Sequence, residues 1–102
     1  MSTPLKLMIF ALFDHKGASF GTPMVSRTED EMKREITTHI RNGNSMLADY
    51  PEDFTLFHIG DYSASTGEIK PVVPRSITNL VHLVSNAKVQ SQQPTSLEAT
   101  DS

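Results

Sequence analysis

Apolar residues fill both parities of the run Leu7 to Phe13. On an extended chain, Leu5, Leu7, Ile9, Ala11 and Phe13 share one face, and Met8, Phe10 and Leu12 share the other. That pattern predicts a strand buried on both sides. A second double-sided run follows much later. In FTLFHIGDY, residues 54–62, Phe54, Leu56 and Tyr62 point one way on simple alternation, and Phe57 and Ile59 point the other. Between them, SFGTPMVSR reads as a weaker strand that Gly21 and Pro23 push toward an edge or a bulge, so residues 5–27 form a hairpin-like unit.

The period then changes. Thr28 with Glu31 three residues later matches a capping box, and Glu29, Asp30 and Glu31 put negative charge where the helix dipole favours it. Met32, Ile36 and Ile40 give a narrow apolar stripe, and Asn42 with Gly43 supplies the stop. NSMLADYPED reads as a loop. After Tyr62, SASTG is a turn in which Gly67 takes a positive φ, and EIKPVV is a short strand broken by Pro71 and closed by Pro74. In SITNLVHLV, Ile77, Leu80, Val81 and Val84 have helical spacing with Ser76 as a cap, while the β-branched content also fits a strand. The expected fold class is α+β: a small antiparallel sheet of about four strands with one or two helices on a face. One domain, residues 1–87, is expected to precede a flexible polar tail, residues 88–102, where no periodicity survives.

Composition narrows the function more than the fold. The chain has 102 residues, enough for one ordinary core, and its 37% apolar content leaves room for a tail or for a fold completed by a partner. Without cysteine there is neither a disulfide framework nor a thiolate zinc site. The apolar run at Leu7–Phe13 is too short to cross a bilayer and reads as a core strand, so no membrane association is expected. A formal charge of −3 excludes a broadly basic polyanion binder, and any contact with nucleic acid needs a local patch.

The residues give little chemistry. His15, His39, His58 and His82 stand at no metal-ligand spacing, and no metal or other cofactor is expected. Glu52 and Asp53 are adjacent and diverge, Asp61 and Glu68 read as surface residues of a hairpin, and no nucleophile elbow occurs, so no catalytic residue is assigned. For nucleic acid, the candidates are Lys33, Arg34 and Arg41 on the helix with Lys16 and Arg75, and Lys6 further off. Strand phenylalanines would be stacking platforms, although phenylalanines at strand spacing are ordinarily core residues and basic residues interleaved with Glu29, Glu31 and Glu35 ordinarily form a solvated helix face. One narrow helix covers only one sheet face. The other is expected to be buried by self-association, most simply a homodimer, through Phe57, Ile59, Phe10 and Leu12. The competing lid is the segment Ile77 to Val84.

The stretch YPEDFTLFHIGDYSASTGEI, Tyr50 to Ile69, resembles the region around PEDF, L, IG and TG in the small non-structural protein of gokushoviruses, single-stranded-DNA phages of the microvirus family. The opening FDHKGASFGTPMVSRTEDEMKREI is similar to the same family's strand, turn and helix entry, and Pro74–Arg75 resembles its PR pair. The resemblance covers roughly residues 5–76 and leaves the C-terminal element aside. It implies a non-enzymatic accessory protein of phage DNA replication in the host cytoplasm. Such a protein binds single-stranded DNA, or a phage replication initiator or host replication proteins, during the shift to single-stranded genome synthesis. The acidic balance favours the protein target. A scaffolding-type protein that contacts capsid subunits is the alternative.

Overall fold

The computed structural model describes residues 5–43 and 45–84. The expected tail, residues 88–102, lies outside the described residues, as do residues 85–87 of the preceding domain. The fold is α+β. An antiparallel sheet carries a helical layer on one side, and its central strand is the doubly apolar first run, β1 (Lys6–Asp14).

One edge of β1 pairs with β2 (Ser19–Phe20) and then β3 (Met24–Ser26), so the weak second strand is two pieces split at Gly21 and Pro23. Its other edge pairs along its whole length with β4 (Phe54–Ser63), which pairs in turn with β5 (Ile69–Asn79). β5 departs from expectation: it runs through both Pro71 and Pro74 rather than stopping at them. Among the described residues one long edge of β5 is unpaired, and proline is tolerated there because it lacks only a donor. The ladder absorbs the misfit in bulges, one between His58 and Gly60 and another between Leu56 and Phe57.

Helix α1 (Glu29–Arg41) begins where the charge pattern says. The Thr28 hydroxyl accepts the Glu31 N–H at 3.1 Å. The reciprocal arm of the capping box is absent, because the Glu31 carboxylate instead accepts from the Ser26 hydroxyl at 3.3 Å and ties the helix start to β3. Gly43 closes the helix at φ 88°, a left-handed conformation that a side chain would strain. The expected loop after it holds a short helix, α2 (Ser45–Asp49), and a single 3-10 turn (Pro51–Asp53). Gly67 takes φ 79° in the β4–β5 turn.

The core lies between sheet and helices. Met32, Ile36 and Ile40 of α1 pack on Phe10 and Leu56, both with no exposed surface, and Met8, Leu12, Met24 and Phe54 flank them. Residues 80–84 are helical and add Leu80, Leu83 and Val84 to this same cluster. Strand thus holds to Asn79 and helix takes over at Leu80, and the cap is Asn79 rather than Ser76. The Asn79 carboxamide oxygen accepts the Val81 N–H at 2.9 Å, while its NH2 donates to Thr55 Oγ1 at 3.1 Å and to the Glu52 carbonyl at 3.0 Å. These bonds pin the end of β5 to β4 and start the turn onto the helix side.

Candidate interaction surfaces

Register assigns every strand residue to a face. Phe10 is opposite His58, Leu12 opposite Leu56, and Met24 opposite Phe10, so these residues share the helix side. On the other side stand Val25 of β3, the row Leu7, Ile9, Ala11 and Phe13 of β1, and Phe20 of β2. Thr55, Phe57 and Tyr62 of β4 join them, and Ser76 and Asn79 of β5 lie beside Phe57 and Thr55. Tyr62 is a correction to simple alternation. The bulge beside Gly60 shifts the parity of β4, and Tyr62 pairs with Leu7 on the face opposite Leu56. Gly60 itself permits the bulge, since a Cβ there would meet the Lys70 carbonyl oxygen at 3.0 Å and Ile9 Cδ1 at 3.5 Å.

The far face holds an aromatic cluster. Phe13 meets Phe20 edge-on with ring centroids 4.9 Å apart, Phe57 meets Phe20 at 5.3 Å, and Phe13 meets His15 at 5.0 Å. His15 Nε2 hydrogen-bonds Thr55 Oγ1 at 2.8 Å. Phe20 is 42% exposed and Val25 47%, while Phe13 and Phe57 are half-buried. The four residues expected to self-associate therefore separate. Phe57 lies on this far face and Ile59 is half-buried at the bulge, whereas Phe10 and Leu12 face α1 and are spent in the core. The competing lid is corrected too: residues 80–84 pack on the helix side, and no described element covers the far face.

The candidate residues Lys33, Arg34, Arg41, Lys16 and Arg75 do not converge, while Lys6 shares a depression with Lys70, Asp61 and Glu68. Arg75 donates to Glu29 Oε2 at 2.6 Å, at the first turn of α1, while Arg41 stands at the last turn, about 18 Å along the axis. Arg34 shares a shallow depression with Glu31 and Glu35, and Lys33 is half-buried. Lys16 is exposed in the turn from β1 to β2, where its backbone N–H bonds Asp14 Oδ1 at 3.0 Å.

One polar chain escaped the sequence reading. His58, almost fully buried, places Nε2 2.9 Å from Asp61 Oδ1, and Arg75 approaches its Nδ1 at 3.4 Å. A guanidinium only donates, so Nδ1 is the accepting nitrogen and Nε2 is the one placed to donate to Asp61. The sequence Asp61–His58–Arg75–Glu29 thus bridges β4, β5 and the start of α1. The i,i+3 spacing of His58 and Asp61 gives no warning of it in a regular strand; the bulge brings them to one side. Among the described residues no group of three or more potential ligands could hold a metal ion, and no helix is long and apolar enough to cross a membrane.

The architecture is a two-layer α+β sandwich in which one sheet face has no layer of its own among the described residues. The chain matches the family model described as Phage ORF5 protein over residues 7–83, from β1 to the C-terminal helical residues. It belongs to that bacteriophage family. Neither a curated protein nor a solved structure matches it.

Proposed function

We propose that this phage protein is a non-enzymatic accessory factor of DNA replication, of the gokushovirus non-structural kind. It works in the host cytoplasm by binding protein components of the replication machinery, a phage initiator or host replication proteins, during the shift to single-stranded genome synthesis. Family membership supports the phage setting, and the resemblance of Tyr50–Ile69 and Pro74–Arg75 supports replication.

The observation that carries a protein target over single-stranded DNA is the mixing of basic and acidic side chains on the helix layer. Arg75 is bonded to Glu29, and Arg34 lies between Glu31 and Glu35. Phosphate tracking needs a surplus of cations along one groove, whereas here Arg75 is bonded to a carboxylate and Arg34 shares its depression with two more. A mixed-charge surface suits a protein partner with complementary charges, where such pairs set specificity.

Pull-down of the full chain from infected cells, in parallel with and without nuclease, tests this reading. Replication proteins should be recovered equally in both arms. Recovery only without nuclease would overturn it. So would retention on single-stranded DNA that falls steeply with salt and is flattened by Lys33→Glu with Arg34→Glu. Presence of the protein in purified virions would favour capsid contact instead.

A further inference from the structure

We propose that the far face of the sheet is the interface through which two copies of this chain associate. The strands contain five Lys, Arg, Asp or Glu residues: Lys6, Asp14, Asp61, Lys70 and Arg75. Register puts all five on the helix side. Lys6 and Asp14 have the parity of Phe10, Asp61 pairs with Met8 and Lys70, and Arg75 pairs with His58. Among the described strand residues the far face carries none. A sheet with one solvated face ordinarily places its charges outward and its apolar residues inward. Here the charges lie on the side that carries the helices, and the side with no helix is uncharged and aromatic. Depletion of charge with enrichment of aromatics is the composition of an interface centre, and exposed His15 and Lys16 supply a polar rim at one end.

A second copy fits this face better than the other occupants. Residues 85–102 offer only Val89 and Leu97 as large apolar side chains, too few to cover the rows described. A partner chosen by charge finds nothing to pair with here, whereas an uncharged face is complementary to itself under a two-fold axis. Three strands of about 30 Å at about 4.8 Å spacing, with the short β2 and β3 beside them, present roughly 500 Å² per copy. A pair then buries roughly 1,000 Å², about the lower bound for a specific interface. Face-to-face packing is favoured over sheet extension. Pro71 and Pro74 interrupt the outer edge of β5, and the opposite edge consists of strands of two and three residues.

Sedimentation equilibrium of the full chain at micromolar concentration tests the proposal. A species of twice 11.3 kDa is expected. Phe20→Ser, on a two-residue strand where little folding depends on it, should raise the dissociation constant about tenfold or more, as should Phe57→Ser. Arg34→Gln, on the outer surface of α1, should leave it unchanged. Circular dichroism of each variant confirms that it is folded. A wild-type monomer of 11.3 kDa would overturn the proposal. A dimer indifferent to both phenylalanine substitutions, or one dissociated equally by Arg34→Gln, would overturn the assignment to this face.

Discussion

Leu56 and Phe57 are neighbours on β4, and they belong to different environments. Leu56 has no exposed surface and sits under α1 with Phe10, Met32 and Leu80. Phe57, one residue on, meets Phe13 and Phe20 edge-on, on a face that no described element covers. Both faces are apolar, yet only one is covered by an element among the described residues. Hydrophobic pattern alone therefore says that a surface must be buried without saying by what. The segregation of strand charges distinguishes the two cases: Asp61, Lys70 and Arg75 are placed around the intramolecular core, and the other face is left uncharged.

The sharpest break of this comparison is at Leu56. Leu56→Ala should cost about 3 kcal/mol through lost burial and a residual cavity, read as a drop in denaturant midpoint at any protein concentration. Phe57→Ser should by contrast leave the monomer folded. Asn79→Ala comes next. It removes the cap on the residues that close the helix side and two bonds to the start of β4, at about 2 kcal/mol, with increased amide exchange confined to residues near 80–84. Thr28→Ala should cost about 1 kcal/mol, because one helix N–H loses its acceptor. Smallest is Arg75→Gln: the ion pair to Glu29 is half-exposed, so its loss should cost less than about 1 kcal/mol and shrink further at high salt.

The fold was legible where one period dominates. β1, α1 and its Thr28 cap, β4 and the Gly67 turn follow directly from alternation, four-residue spacing and turn chemistry. What failed was mostly local punctuation overruled by pairing. Pro71 and Pro74 stop a strand only if their missing donors were needed, and on an edge they are not. The helix in Ser45–Asp49 is a single short segment with no stripe to read. The switch at Asn79 from strand to helix mixes two periods in one apolar run, which is why both readings fitted SITNLVHLV. The far face is legible as an apolar surplus, but alternation cannot place Tyr62, nor assign Phe10 and Leu12 to the core, because a one-residue bulge and the choice of helix side leave no mark on it. The His58 chain depends on the same bulge.

The concentration dependence of unfolding tests the central contrast most directly. In urea, the wild-type midpoint should rise by about 1 M between about 1 and 100 µM protein, since association stabilises the folded chain by mass action, while the Phe57→Ser midpoint should stay fixed. A wild-type midpoint that is the same at both concentrations would contradict the account, because the uncharged face would then be stable in water without a second copy.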